Sequence, residues 1–143
     1  MILRRFKNTS QDIDFLLNLR NKKYVQKQSF NEKKINKKNH LEWLKKNIKN
    51  NKIQIFIFGK NKKINYGYVS IKNGINKIYL SWAILKKYNS KNYTTSALKK
   101  ATNKKKKYFA KIKINNIASQ IVALKAGFKF YKTFKTHIEL KKN

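Results

Sequence analysis

The spacing of apolar residues at the start of the chain predicts a strand followed by a helix. Residues 2–7 alternate weakly between apolar and polar side chains, as a strand does. From Ile13 to Arg20 apolar residues recur at helical intervals, and Thr9 or Ser10 before them is a suitable N-cap. The first turn of this helix carries two acidic residues that complement the helix dipole, Asp12 and Asp14.

A second long helix is predicted from an N-cap at Asn36 to about Lys49. Its apolar positions form a stripe that we expect to be buried, made of Leu41, Leu44 and Ile48. The segment between the two helices, residues 21–36, is polar and predicts a loop with room for one short helix.

The rest of the chain reads as strands with two further helices. One helix contains Ala97 and Leu98, and the other follows an N-cap at Asn116 and ends at Gly127. The predicted strands cover residues 53–58, 64–71, 78–85, 108–114, 128–131 and 134–140. The element order is therefore β-α-α-β-β-β-α-β-α-β-β. It predicts an α/β fold in one domain, residues 1–143, with a mixed, mostly antiparallel sheet and helices on both faces.

The loop between the strand 78–85 and the next helix suits an anion. Residues 89–95 are mostly polar and lead directly into the helix. Such a junction directs several backbone N–H groups and the positive end of the helix dipole at one place, which favours a pyrophosphate. The alternative interpretation is a surface turn before a helix.

The formal net charge is +32, from 37 lysine and arginine residues against 5 acidic residues. A basic surface attracts polyanions or phosphorylated substrates. A codon bias explains the same charge, because Asn, Ile, Phe and Tyr are also abundant and proline is absent. Only three residues are arginine, the residue that a dedicated nucleic-acid binder uses for bidentate contacts. We therefore expect nucleic acid to bind non-specifically at most.

The chain contains no cysteine, which excludes disulfides, thiolate metal ligands and a covalent acyl-cysteine. Its start lacks the apolar run of a signal peptide, and its apolar stretches are too short to span a membrane. We expect a soluble, cytoplasmic protein that is a monomer or a homodimer and does not bind a membrane.

The element order and several short motifs together resemble the GNAT family of N-acetyltransferases over nearly the whole chain. The likeness is sharpest to the branch that acetylates an amino group on a nucleotide-linked sugar in nonulosonic (pseudaminic or legionaminic) acid pathways. The matching pieces are Leu19-Arg20-Asn21, Val25, Ser29-Phe30-Asn31, Ile35, His40, Trp43, Leu80-Ser81-Trp82-Ala83-Ile84, Asn115-Asn116-Ile117-Ala118-Ser119 and Lys125-Ala126-Gly127-Phe128.

The resemblance implies an enzyme that uses acetyl-CoA and no metal. In this family the strand ending near Leu85 parts from the strand after Tyr108, and backbone N–H groups at the opening face the acyl carbonyl. The implied cofactor-binding residues are Trp82, Ala83, Ile84, Leu85, Asn89, Ser90, Lys91, Asn92, Tyr93, Thr94, Thr95, Asn116 and Ser119. Asn116 has an alternative role as the N-cap of its helix, and Ser119 as an ordinary residue of the first turn.

Several positions depart from the family pattern. Every glycine position of the family's loop, Arg/Gln-x-x-Gly-x-Gly/Ala, is substituted in Asn89-Ser90-Lys91-Asn92-Tyr93-Thr94. Glycine there allows a positive φ, a region that asparagine tolerates better than most residues. The position of the family's glutamate general base aligns with Tyr79, and that of its tyrosine general acid aligns with Ala123.

The resemblance implies a primary amine as acceptor, most simply an amino sugar on a nucleotide diphosphate and hence anionic. The implied substrate-binding residues are Arg20, Asn21, Ser29, His40, Trp43 and Ser81. The catalytic candidates are His40 and Tyr79, and the alternative for His40 is a structural histidine packed on Trp43. Two other functions stay open: acetylation of a protein N-terminus, and a catalytically degenerate basic module of the same fold that binds nucleic acid.

Overall fold

The computed structural model describes residues 1–143 and consists of a seven-stranded sheet and five α-helices. The strands are β1 (Ile2–Arg5), β2 (Ile53–Gly59), β3 (Asn65–Asn73), β4 (Ile78–Ile84), β5 (Tyr108–Lys113), β6 (Lys129–Thr133) and β7 (His137–Lys142). The helices are α1 (Ser10–Arg20), α2 (Lys23–Gln28), α3 (Lys37–Lys49), α4 (Tyr93–Ala101) and α5 (Ile117–Lys125). The strand order is β1-β2-β3-β4-β5-β7-β6, and only the β4–β5 pair is parallel. The predicted mixed, mostly antiparallel sheet is confirmed.

Helices cover both faces of this sheet. On one face α1 and α3 pack against β2 through a cluster that includes Ile13, Leu44 and Ile55. On the other face α4 and α5 cover a larger core that includes Leu98 and Phe128. Alternate residues of a strand face opposite sides. In β4 the residues on the α4–α5 face are Leu80, Trp82 and Ile84, and those on the α1–α3 face are Tyr79, Ser81 and Ala83.

The first half of the chain follows the predicted caps, and the predicted buried stripe of α3 is confirmed at Leu44 and at the partly buried Ile48 but not at Leu41. The side chain of Thr9 accepts the N–H of Asp12, and that of Asn36 accepts the N–H of Asn39. In α3, however, Leu41 is 40% exposed whereas His40 is 6% exposed. Residue 44 shares a helix face with residue 40, four positions away, and equally with residue 41, three positions away. The apolar spacing therefore did not determine whether residue 40 or residue 41 faces α1.

The second half shows the predicted helix ends, and its strand bounds shift by a few residues. The last strand, predicted at residues 134–140, is β7 (His137–Lys142). The side chain of Asn116 caps α5 by accepting the N–H of Ser119, and Gly127 ends this helix with a φ of +98°. The β3–β4 turn lies at residues 74–77 rather than 72–74, and β4 ends before Leu85. None of the helices is long and apolar enough to cross a membrane.

Candidate active site

The parallel strands β4 and β5 pair only where both begin. Ile78 pairs with Tyr108 and Tyr79 with Phe109, and no pairing joins the two strands beyond these positions. β4 continues to pair with β3 as far as Ile84, while β5 continues to pair with β7. The sheet therefore opens between them, and a cleft of about 570 Å³ lies at the opening.

The open edge of β4 presents backbone groups to this cleft. The N–H of Leu85 donates to the carbonyl oxygen of Tyr66 at 2.8 Å, so it points towards β3. Along a strand, successive N–H groups point alternately to the neighbouring strand on either side. Because the N–H of Leu85 points to β3, those of Ile84 and Trp82 point to the opening. The prediction that Leu85 supplies a donor to the opening is therefore wrong, because β3 uses its N–H.

The start of α4 offers a second set of free donors. The first bond of the helix runs from the N–H of Ser96 to the carbonyl of Asn92, and no side chain caps the helix. The amide N–H groups of residues 90–95 donate no hydrogen bond within the chain. Asn92 has a φ of +59° and turns the chain into the helix as a glycine would. Consecutive free amides at a helix N-terminus form a binding place for a phosphate group.

Seven of the residues implied for the cofactor line the cleft: Trp82, Ala83, Ile84, Asn89, Thr94, Asn116 and Ser119. The others do not line it: Leu85, Ser90, Lys91, Asn92, Tyr93 and Thr95. Of this second group, residues 90–93 and 95 contribute free amides at the helix start rather than side chains. Asn116 caps α5 as predicted, and it also lines the cleft. Its role in cofactor binding stays a prediction.

The other end of the cleft contains three of the residues implied for the substrate, Arg20, Ser29 and Ser81. Nη1 of Arg20 is buried and has no hydrogen-bond partner, while Nη2 donates to the carbonyl of Asn31. The hydroxyl of Ser29 donates to the carbonyl of Val25 at 2.7 Å. Nη1 of Arg20 is therefore a buried donor without a partner at the lining of the cleft.

Three of the implied substrate residues, Asn21, Trp43 and His40, do not reach the cleft, and His40 is described with the catalytic candidates below. Asn21 exchanges two hydrogen bonds with the backbone of Ile35, at 2.7 Å and 2.8 Å, and thereby holds the segment before α3. Trp43 is 45% exposed on the outer side of α3. Neither residue lines the cleft.

The two catalytic candidates also lie outside the cleft. His40 is buried against α1 beside the backbone of Ile13, and its Nε2 has no hydrogen-bond partner. Tyr79 points to the α1–α3 face near the start of β4, with its ring 6.1 Å from that of Phe109. Neither side chain is brought to the open edge of β4.

The burial of His40 predicts a pH-dependent stability. Burial lowers the pKa of His40, only partly offset by the backbone of Ile13. A lowered pKa means that protonation favours the unfolded chain, so stability is full above about pH 6.5 and falls as the pH decreases further. We expect His40→Leu to weaken this decline in thermal unfolding between pH 7 and pH 5. An unchanged decline in the variant would contradict the assignment.

Several cleft residues escaped sequence analysis, among them Tyr24, Gln28, Tyr68, Lys86 and Lys111. Tyr24 belongs to α2, and its hydroxyl donates to the carbonyl of Ile84 at 2.9 Å, on the edge that β5 leaves open. Burial raises the pKa of Tyr24 and of Tyr68, so both hydroxyls stay protonated near neutral pH. No motif marks Tyr24 and Gln28, because α2 brings them to β4 from a polar stretch without an apolar pattern.

Comparison with known proteins adds a family and a fold. A family model described as an acetyltransferase (GNAT) domain matches residues 1–129. No curated protein sequence matches the chain.

Three solved structures illustrate the similarity of fold. A spermidine N-acetyltransferase from Vibrio cholerae, in complex with CoA and spermine, is 17% identical over 98% of this chain and 92% of that chain, with a TM-score of 0.77. A ribosomal-protein-alanine N-acetyltransferase from Brucella melitensis is 16% identical over 99% of both chains, with a TM-score of 0.77. A PaiA N-acetyltransferase from Thermoplasma acidophilum, in complex with coenzyme A, is 18% identical over 100% of this chain and 99% of that chain, with a TM-score of 0.76.

Proposed function

This chain belongs to the GNAT acetyltransferase family, and from that premise we propose that it acetylates the amino group of an anionic small molecule, an amino sugar on a nucleotide diphosphate. As a member of the family the protein is an acetyl-CoA-dependent N-acetyltransferase. The identity of the acceptor is the part that we propose, and the proposal rests on the positive charge of the cleft.

The residues of the cleft fit acetyl-CoA. The free amides of residues 90–95 complement a diphosphate, and the N–H groups of Trp82 and Ile84 complement the carbonyl groups of an extended pantetheine arm. Asn116 and Ser119 line the same cleft from the start of α5. Acetyl-CoA, when bound, supplies an acetyl group activated as a thioester. The donors at the edge of β4 then stabilise negative charge on a carbonyl oxygen.

The lining of the cleft is positively charged. Arg20, Lys86 and Lys111 line the cleft, and its lining contains no aspartate or glutamate. Nη1 of Arg20 is buried without a partner, which is costly unless a ligand supplies an acceptor. A polyamine carries several positive charges and no group that Arg20 can bind. A phosphate or carboxylate on the acceptor satisfies Arg20 and offsets the local charge.

The same cations favour the reactive form of the acceptor. An amine attacks a thioester only when it is neutral, and nearby positive charges lower the pKa of an ammonium group. Arg20 and Lys86 therefore promote loss of the proton without a carboxylate base. This agrees with the position of Tyr79, which replaces the family's glutamate and lies outside the cleft.

An acceptor panel tests the proposal. Thiol release from acetyl-CoA would be followed with a nucleoside-diphosphate amino sugar, a peptide with an N-terminal alanine, and spermidine. We expect kcat/KM to be highest for the amino sugar. A preference for spermidine would refute the anionic acceptor, and a preference for the peptide would establish the alternative of N-terminal acetylation.

Arg20→Gln tests the residue that we propose to bind the anionic group of the acceptor. A hydrogen bond to a charged group contributes about 1.5–3 kcal/mol, so KM for the anionic acceptor should rise roughly tenfold to a hundredfold. Binding of acetyl-CoA, measured by calorimetry, should not change. Arg5→Gln is the matched control, because Arg5 is exposed on β1 and the variant loses the same charge. Equal KM changes in both variants would assign the effect to overall charge.

Asn92→Gly tests the loop that replaces the family's glycine-rich turn. Glycine adopts the observed φ of +59° without strain, so acetyl-CoA affinity should stay the same or increase slightly. Asn92→Val should weaken binding roughly tenfold, because the left-handed region costs an ordinary residue about 1–2 kcal/mol. Calorimetry with both variants measures the difference. A large loss in Asn92→Gly would show that the asparagine side chain itself is needed.

A further inference from the structure

Part of the α1–α3 face of the sheet is not covered by helices. The helices on this side pack over β2 and its neighbours, leaving the starts of β4 and β5 and the adjacent β7 without a helix above them. Three aromatic side chains lie together there, since Phe109 is 6.1 Å from Tyr79 and 5.6 Å from Tyr131 between ring centroids. Tyr131 belongs to the edge strand β6 and is 44% exposed.

Lysine side chains surround these rings. Nζ of Lys77 lies 4.7 Å from the ring centroid of Phe109, and Nζ of Lys111 lies 4.8 Å from that of Tyr79. Nζ of Lys141 and of Lys132 lie 5.4 Å and 5.6 Å from that of Tyr131. We call these four lysines and three aromatic residues the lysine–aromatic face.

A second cavity continues this face at the end of the sheet opposite the active-site opening. Its volume is about 540 Å³, and its basic lining residues are Lys77, Lys106, Lys107 and Lys141. No acidic residue lines it. The nearest carboxylate on the face is Glu139, which is 2% exposed and already bonded to Nζ of Lys77 at 2.7 Å. The remaining lysines of the cavity therefore face solvent without a carboxylate partner.

We propose that the lysine–aromatic face, with its adjoining cavity, binds single-stranded nucleic acid. Grooves that bind single strands combine cations along the backbone with aromatic rings on which bases stack. On this face the exposed ring is that of Tyr131, at 44%, and Phe109, at 7%, packs against it. A second copy of this chain is disfavoured here, because two basic faces repel each other at a net charge of +32 each. Lysine contacts phosphate as a point charge and does not read base edges in the bidentate manner of arginine. Binding is therefore tolerant of sequence, and it does not depend on the proposed acceptor.

Fluorescence anisotropy with a labelled oligouridylate of about 12 nucleotides, long enough for one binding groove, tests the proposal. The variant Lys106→Gln/Lys107→Gln/Lys141→Gln removes three charges from the cavity. Its matched control, Lys45→Gln/Lys46→Gln/Lys49→Gln, removes three exposed charges from α3. We expect the cavity variant to bind at least tenfold more weakly. The slope of log K against the logarithm of the salt concentration should be less steep by about 2. Each phosphate contact with a single strand contributes about 0.7, and three are removed.

The α3 control should keep both its affinity and its salt slope. Equal losses in the two variants would overturn the proposal, because general charge would then explain the binding. Should the cavity variant fail to fold by circular dichroism, Lys106→Glu/Lys107→Glu, which alters only exposed side chains, replaces it.

Tyr131→Ala separates nucleic acid from other polyanions. Stacking of a base on an aromatic ring contributes about 1–3 kcal/mol, so oligouridylate affinity should fall at least fivefold. Binding of inorganic polyphosphate, which has no bases, should not change. Equal losses for both ligands, or none for oligouridylate, would overturn the proposal. Tighter binding to vesicles containing phosphatidylserine than to oligouridylate would assign the face to an anionic membrane instead.

Discussion

Thr94→Asp is expected to reduce the affinity for acetyl-CoA by about a hundredfold while the protein stays folded. Thr94 is 5% exposed, lies in the first turn of α4 and lines the cleft. A carboxylate there stands among the free amides of residues 90–95 and competes with a diphosphate for them. At about 5 Å and an effective dielectric constant of about 20, two like charges repel by roughly 3 kcal/mol, which corresponds to that loss.

The matched control is Thr94→Val, which keeps the shape of the side chain and adds no charge. If backbone amides bind the diphosphate, this variant should bind acetyl-CoA within about fivefold of the wild type, since at most one neutral hydrogen bond of about 1 kcal/mol is lost. Calorimetry gives both affinities. Thermal unfolding without ligand tests whether Thr94→Asp is folded. We expect that it is, because an acidic residue in the first turn of a helix complements the helix dipole. Unchanged affinity in Thr94→Asp would show that the diphosphate does not bind at this helix.

The elements of the active site that are local in sequence could be predicted. Asn36 and Asn116 cap their helices as expected, because a side-chain oxygen that accepts a nearby amide is a short-range interaction. The left-handed conformation of Asn92 is a local property too. The loop and helix that carry the free amides of the cleft therefore follow from the order of residues alone.

Features that depend on packing could not be predicted. The apolar pattern of α3 is compatible with two rotations of the helix, and only contact with α1 selects the one that buries His40 and exposes Leu41. Tyr24 reaches Ile84 across 60 positions of the chain. The depth of the opening between β4 and β5 depends on how each strand pairs with its other neighbour. The parting was expected from the family resemblance rather than from any pattern in the strands.

A further interaction that sequence analysis missed gives the largest expected effect on stability. Asp12 complements the dipole of α1 as predicted, but its carboxylate also accepts two hydrogen bonds from Arg4 of β1, at 2.7 Å and 2.8 Å. The backbone N–H of Lys7 donates a third, at 2.8 Å. Asp12 is 4% exposed, so this pair joins the first strand to the first helix inside the protein.

Asp12→Asn is expected to lower the free energy of unfolding by roughly 3 kcal/mol, because removing one partner leaves the guanidinium of Arg4 without its counter-charge. For a chain of this size that corresponds to a melting temperature lower by roughly 10 °C. Asp14→Asn is the matched control on the same helix. Asp14 is half-exposed and pairs with Lys37 at 3.4 Å, so its loss should cost below about 1 kcal/mol.

The pH dependence of unfolding gives an independent measurement of the same pair. Burial alone would raise the pKa of Asp12, but the hydrogen bonds from Arg4 and Lys7 outweigh it and lower the pKa. A lowered pKa stabilises the folded chain above the unfolded value of about 3.9, and this stability is lost as the pH falls further. The difference between wild type and Asp12→Asn should therefore be full near pH 6 and shrink below about pH 4. A difference that stays constant down to pH 3 would mean that the ion pair does not carry the effect.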